Sequence, residues 1–445
     1  MVDVEQRAIA DEAPAGYRMT ELGLLPEDWH VEHLGELFDI KQGKALSGKK
    51  KTAGGERRPF LRTGNVLWGR LDVTKLDAMD FNPVEERKLA LQPGDLLTCE
   101  GGDIGRTAIW SGEIERCYYQ NHLHRLRARS ADVVPTFYMF WLQAGFRLLN
   151  LYGGEGNRTT IPNLSGSRLS AFPVPLPPVP EQRAIAHVLS TVQRAREATE
   201  AVIAATRELK RSLMRHLFTY GPVPLDQVAG VRLKDTEIGL VPEGWGVRPI
   251  GEMFEVQLGK MLSPKARAGI SPVPYLRNQD VRWGNVNVTN LPLMDFDDRE
   301  SRKFDLRHGD VLACEGGEIG RTAVWHGQLE PCSYQKAIHR LRSRHGDVDP
   351  HFFAYYMMHA FLLTKLYGDT GTTTTIAHLP AVKLRSLPMP VPPLSVQRAI
   401  SSALLATDAK LRAEMGTLQA ISALHEVLSA RLITGHVRVT KQGLA

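Results

Sequence analysis

Nine basic residues, Lys41, Lys44, Lys49, Lys50, Lys51, Arg57, Arg58, Arg62 and Arg70, stand between positions 41 and 70 against one acid, Glu56. Side chains of this kind neutralise phosphates. A second stretch, Gln257 to Arg282, holds Lys260, Lys265, Arg267, Arg277 and Arg282 against Asp280. Either stretch alone also fits a solvated basic loop, but a pattern that occurs twice favours a polyanionic partner. Both carry glycine, which lets backbone approach a phosphate. Reading a DNA sequence further requires side chains that bond base edges, Arg on guanine and Asn or Gln on adenine. Candidates are Gln42, Asn65, Gln120, Asn121, Asn157 and Arg158, then Gln257, Asn278, Gln279, Gln335, Lys336, Thr372 and Thr373. The phosphate-contacting candidates are Lys41, Lys44, Lys49, Lys50, Lys51, Arg57, Arg58 and Arg62, with Lys260, Lys265, Arg267 and Arg277.

Other residues carry catalytic types without a catalytic pattern. Glu100, Asp103 and His124, matched later by Glu315, Glu318 and His339, form an acid-base set on paper. The same types also hold sheet-end turns, and that structural reading is the one taken. Gly43-Lys-Ala-Leu-Ser-Gly48-Lys49-Lys50 approaches a phosphate-binding loop, but Lys50 stands where the metal-binding hydroxyl belongs. Its later counterpart, Gly259 to Ala266, loses the second glycine as well. No nucleotide site is expected, nor does Gly153-Gly-Glu-Gly156 have the spacing of a dinucleotide fingerprint. Neither an amino-methyltransferase tetrapeptide nor a nuclease constellation is present. Cys99, Cys117, Cys314 and Cys332 lack zinc-knuckle spacing and read as buried thiols, so no metal is expected.

These residues sit in a duplicated chain. Thr20-Glu-Leu-Gly-Leu-Leu-Pro-Glu-Asp-Trp29 recurs at Thr236 to Trp245, and Gly94-Asp-Leu-Leu-Thr-Cys-Glu-Gly-Gly-Asp-Ile-Gly-Arg106 recurs at Gly309 to Arg321. The offset is 216 residues at first (20 to 236) and 215 afterwards (94 to 309). All four cysteines obey the shorter offset, which implies a shared packing role. A period this long is a duplicated domain and not a solenoid repeat. The copies differ at contact candidates: Thr63-Gly-Asn65 faces Asn278-Gln-Asp280, and Asn157-Arg158 faces Thr372-Thr373. Equal frameworks with unequal loops suggest two unlike half-sites.

Each copy begins with short apolar runs punctuated by Gly and Pro, the pattern of strands and tight turns, with Gly101-Gly102 and Gly316-Gly317 at hairpins. A helix is expected from Pro135 to Leu151, and its counterpart from Pro350 to Leu366. The proline clusters Pro173 to Pro180 and Pro388 to Pro393 are expected to stop regular structure at a rigid boundary. Beyond them, Glu181 to Phe218 has no Gly or Pro, and about 37 helical residues would span roughly 55 Å. Ile185, Val188, Val192 and Leu209 mark an apolar stripe, answered by Ile400, Leu404, Leu411 and Leu418 in the second copy. A lone helix with one apolar stripe needs a partner, and the other copy supplies it. The expected architecture is α+β, two pseudo-symmetric, mainly-β globular domains separated by an antiparallel pair of long coiled-coil helices. The boundaries are 16–178 and 221–393 for the globular parts and 179–220 and 394–435 for the helices.

With 445 residues, 43% hydrophobic and 23% charged, the chain has the composition of a multi-domain globular protein. Its net charge of +6 permits an anionic partner. No run approaches the roughly 18 apolar residues of a membrane span. The acidic opening, with Asp3, Glu5, Asp11 and Glu12, is wrong for a signal peptide, so a cytoplasmic location is expected.

The Gly-Leu-(Leu/Val)-Pro-Glu-x-Trp opening, the Gly-Asp-(Leu/Val)-Leu strand with its Glu-Gly-Gly-x-Ile-Gly-Arg turn, and the Pro175-Leu-Pro-Pro-x-x-Glu-Gln-Arg-Ala-Ile185 junction together resemble the specificity subunits of type I restriction-modification systems. Pro390 to Ile400 repeats the junction with Val396 in place of the first copy's Glu181. The resemblance spans nearly all of residues 16–435. It implies a non-catalytic reader of double-stranded DNA whose two target-recognition domains each take half of a bipartite site, with the paired helices as spacer. It also implies partners: two modification (methyltransferase) subunits carrying S-adenosylmethionine, and restriction (motor and nuclease) subunits using ATP and Mg. No cofactor is expected in this chain. Half-sites approached from one face would lie about 34–36 Å apart. A stand-alone methyltransferase or nuclease, and a coiled-coil adaptor without DNA affinity, are the alternatives.

Overall fold

The computed structural model describes residues 13–46, 55–150, 152, 163–263, 272–367 and 378–439. The chain divides into two compact units, Met1–Glu200 with Thr417–Ala445, and Ala201–Gly416. Secondary structure mixes helix and sheet as expected.

In the first unit a four-stranded antiparallel sheet runs in the order Thr107–Ile109, Leu96–Cys99, Leu123–Ala128, Phe38–Gln42. A three-stranded sheet orders Tyr118–Tyr119, Glu56–Leu61 and Asp77–Phe81, the first pair parallel. The second unit repeats both sheets: Thr322–Val324, Val311–Cys314, Ile338–Ser343 and Phe254–Leu258, then Ser333–Tyr334, Pro272–Leu276 and Leu293–Asp295. Strand Leu96–Cys99 and its counterpart Val311–Cys314 are buried throughout, which explains their unbroken apolar runs. The cysteines pack alike in both copies: Cys99 and Cys117 beside Trp110, Cys314 and Cys332 beside Trp325. Burial pushes the Cys117 and Cys332 thiols up to about 12.

One sequence expectation fails at the proline clusters. Pro173–Leu176 forms a strand paired with His30–His33, and Pro388–Val391 pairs with Gly246–Pro249. Each is a two-stranded ribbon, so a proline lacking its N–H can sit where no ladder bond is required. The first long helix, Val179–Tyr220, then starts with Pro180 in its first turn, where the missing N–H costs nothing. The shorter helix is Pro135–Arg147 in the first copy; in the second, Pro350–Met358 continues as a π-helical turn, His359–Leu363.

The junction glutamines are clamps. Gln182 accepts from the Val134 N–H at 2.9 Å and donates to the Asp132 and Pro177 carbonyls; Gln397 repeats this with Asp349, Asp347 and Pro392. Each therefore fastens a long helix to its own globular module.

The second long helix spans Leu394–Ile433. In the first unit Ile185 and Leu189 share a core with Leu432 and Ile433. In the second unit Met214 and Leu217 share a core with Ile400 and Leu404, while Lys210 meets Asp408 at 2.6 Å, so the segments there run antiparallel. Ile185, Ile400 and Leu404 are buried as the stripe required, and Val188, Val192, Leu411 and Leu418 are half-buried. Leu209 is a correction: it is 59% exposed. The buried positions around it are Ile203, Thr206 and Met214; Thr206 is a weaker member of the same stripe, while Ile203, Met214 and Lys210, which packs against Asp408, lie off it, so the packed face there is rotated from the apolar stripe.

Candidate nucleic-acid interface

The sheet edge ending in Gln42 gathers several of the predicted residues. Gln42 pairs with His124 in the strand ladder, and its Nε2 donates to Glu100 Oε2 at 3.0 Å and to the Asn121 carbonyl at 2.9 Å. The exposed His122 ring has Nδ1 3.9 Å from the same Glu100 carboxylate. Gln42 is exposed and Asn121 half-buried, so both present polar edges to solvent. In the second copy His339 pairs with Leu258, which places Leu258 where the first copy has Gln42. Lys336 and Ala337 replace Asn121 and His122 there.

The backbone beneath is the same. Lys44 N–H donates to the Tyr119 carbonyl and Asn121 N–H to the Lys44 carbonyl; Lys260 and Lys336 repeat both bonds. Gly43 and Gly259 permit this approach, since a Cβ on either would collide with the tyrosine and glutamine carbonyls opposite. Gly43 of the supposed phosphate loop thus serves strand packing.

The recurring Glu-Gly-Gly-x-Ile-Gly-Arg turn is held in both copies by one arginine. Arg106 donates to the Thr63 carbonyl at 2.7 Å and Arg321 to the Asn278 carbonyl at 2.5 Å. Gly105, at φ +79°, leaves room for Phe146, where a Cβ would come within 2.5 Å of the ring. Trp68 donates to Asp103 at 3.1 Å and Trp283 to Glu318 at 2.6 Å, closing the turn from the other side. Neither tryptophan is among the sequence candidates above, although the two recur at the 215-residue offset. Burial raises the Cys99 and Cys314 thiols against the opposing pull of Arg106 and Arg321.

The acid-base set does not converge. His124 Nε2 is bonded to the Leu164 carbonyl at 2.8 Å, as His339 is to Leu379 at 2.9 Å, while Asp103 is engaged by Trp68. Among the described residues no group of three or more His, Cys, Asp or Glu is arranged to hold a metal ion.

Several contact candidates are internal. Lys44 donates to the Asp80 carbonyl and to Glu85 at 2.6 Å, and Lys260 to the Asp295 carbonyl and Glu300 at 2.5 Å. Both lie over aromatic rings, Phe81 and Phe296. Glu85 and Glu300 also close capping boxes with Asn82 and Asp297, so each lysine anchors a helix start. Asn65 folds inward, accepting from Arg62 N–H and donating to the Asp72 and Lys75 carbonyls. Asn278 donates to the Gly316 carbonyl, Arg277 forms a two-point pair with Asp280 at 2.8 Å, and Gln257 turns onto the Leu258 carbonyl. Gln120 is buried and Gln335 half-buried. Arg58 is paired with Glu56 and Glu86.

Lys41, Arg57, Arg62, Gln279 and Lys336 remain exposed, Lys41 beside Asp39 at 3.2 Å and Arg62 beside Asp77 at 2.7 Å. Lys49, Lys50, Lys51, Asn157, Arg158, Lys265, Arg267, Thr372 and Thr373 lie outside the described residues.

Comparison with known proteins agrees with this duplicated geometry. The model of the type I restriction modification DNA specificity domain matches twice, over residues 26–205 and 242–423. A putative type I restriction enzyme MjaX specificity subunit of Methanocaldococcus jannaschii is 26% identical over 439 residues, covering 95% of this chain and 97% of that protein. The MjaVIII specificity subunit of the same organism is 24% identical, covering 93% and 94%. The fold resembles the crystal structure of a type I restriction-modification S subunit from M. genitalium, with TM-score 0.56 and 16% identity over 91% of this chain and 96% of that one. No described helix is long and apolar enough to cross a membrane. The chain belongs to the type I restriction-modification specificity family, carries its DNA specificity domain twice, and is a specificity subunit.

Proposed function

We propose that each module reads one half of a split, asymmetric double-stranded DNA site, and that the chain performs no chemistry of its own. The observation that carries this reading is the matched pair of sheet edges. One backbone pattern presents Gln42, Asn121 and His122 in the first copy and Leu258, Lys336 and Ala337 in the second. Base-edge recognition depends on donor and acceptor identity, so such edges select different bases from similar approaches. Methyl transfer and cleavage then belong to two modification subunits carrying S-adenosylmethionine and to restriction subunits using ATP and Mg. The long helices are the spacer that sets the non-specific centre of the site.

The test is methylation-motif mapping in cells that carry a chain whose residues 16–178 come from another family member. One half of the motif should change while the other half and the gap persist. Methyl transfer or cleavage by the purified chain without any partner would overturn the non-catalytic part.

A further inference from the structure

A cavity of about 190 Å³ opens in the first unit between helix Pro135–Arg147 and the two long helices. Gln143, Arg147, Arg196, Ser422, His425 and Glu426 line it. Three polar atoms around this one space are buried and have no hydrogen-bond partner: Gln143 Oε1, Arg196 Nε and His425 Nε2. Gln143 is 8% exposed and His425 5%. Native proteins rarely leave such groups unpaired, and three around one cavity imply a shared occupant.

The atoms specify its chemistry. Ser429 Oγ lies 3.5 Å from His425 Nδ1; with that hydroxyl donating, a neutral His425 carries its proton on Nε2. Burial, reinforced by Arg196, holds His425 below its ordinary value, consistent with the neutral ring. Arg196 Nε is 3.7 Å from Glu200, beyond hydrogen-bonding distance. The cavity therefore offers N–H donors from His425, Arg196 and Arg147, and acceptors from Gln143 Oε1 and the Glu426 carboxylate. An occupant must carry anionic oxygens for the donors and an O–H for the acceptors. We propose that this is a site for the hydrogen phosphate ion. Sulfate has no proton at neutral pH and would set lone pairs against both Gln143 and Glu426, where hydrogen phosphate turns its one O–H to one of them; a DNA phosphodiester likewise lacks the O–H. The volume, several times the roughly 30 Å³ share of one liquid water, accommodates an ion of this size.

The second copy serves as an internal control. Met358, Leu362 and Leu411 stand at the positions of Gln143, Arg147 and Arg196, and Lys210, at that of His425, is paired with Asp408, so this donor and acceptor set is not repeated there.

Calorimetric titration of the purified full-length chain with inorganic phosphate and, separately, sulfate at matched ionic strength near pH 7 tests the proposal. Phosphate should bind saturably, one ion per chain, with sulfate weaker by about tenfold or more, because a site built to bond an O–H rejects an analogue lacking it. Arg196→Leu should weaken phosphate by about tenfold or more, and Gln143→Met should reduce the preference over sulfate, leaving the part that Glu426 imposes. Both variants borrow the residue of the second copy, and the wild-type phosphate-to-sulfate comparison needs no variant to fold. Absence of saturable phosphate binding, meaning that water alone fills the cavity, would overturn the proposal, as would equal affinity for the two ions in the wild-type chain.

Discussion

Glu181→Val copies into the first junction the residue that the second carries as Val396. Its consequence follows from what Glu181 holds. The carboxylate accepts from the Trp29 indole N–H at 2.9 Å and from Arg438 Nε and Nη2 at 2.7 and 2.9 Å, and Arg438 also reaches Asp28 at 2.6 Å. Trp29 is fully buried, so its N–H cannot turn to water when the acceptor is lost. A hydrogen bond to a charged partner contributes about 1.5–3 kcal/mol. The Arg438 side chain is 35% exposed, and solvent screening reduces its ion pair to about 0–1 kcal/mol. Burying the valine methyls returns about 1 kcal/mol, which leaves a net loss of about 0.5–3 kcal/mol for the first unit. For a unit of this size that lowers Tm by about 2–4 °C per kcal/mol. Scanning calorimetry on the full chain should therefore find a loss of about 1–12 °C in the first unit's transition, with the second unchanged. Indole N–H exchange at Trp29 should speed up in parallel. Adding Arg438→Leu should restore part of the loss, because it removes a cation left with the exposed Asp28 as its one acidic partner. An unchanged transition, or a double variant worse than the sum of the singles, would refute the reasoning.

Three further outcomes are expected. Burial, with Arg215 nearby, lowers the His359 pKa from 6.5 to about 4. The unfolded chain takes up that proton below about 6.5 while the folded one resists it, so the stability His359 confers is present above pH 6.5 and is lost as pH falls toward about 4. Urea midpoints of the second unit should fall across that window, and His359→Phe, beside the Phe218 ring, should flatten the fall. Replacing Lys49, Lys50 and Lys51 with alanine should weaken DNA binding and reduce the salt slope by up to about 3 without changing the sequence read, measured by fluorescence anisotropy across salt concentrations; a changed motif would mean that they contact bases. Gln42→Leu, the second copy's residue at that ladder position, should alter the first half-motif alone, with discrimination there changing by about 1–3 kcal/mol in a binding assay on single-base variants.

The duplication was legible because it is written in residue identities, and the clamps, turns and cysteines that recur in the sequence recur in space. Two kinds of feature were not. The partners of Lys44 and Lys260, Glu85 and Glu300, stand 41 and 40 residues away, so a count of local charge took two anchored lysines for phosphate contacts. Helix facing also escaped the apolar count. Leu209 is exposed and Lys210 packed, because a polar group that finds a partner on a neighbouring segment, as Lys210 finds Asp408, is as well accommodated as a leucine. Asn65 shows the same limit in a loop: an amide suited to reading adenine is equally suited to bonding its own backbone, and here it does.

The central claim is that two alike frameworks read two unlike half-sites. Methylation-motif mapping in cells expressing the chain with residues 16–178 exchanged for those of another family member tests it most directly. The account predicts a motif in which one half is new while the other half and the intervening gap are retained. A motif changed in both halves, or in neither, would contradict it.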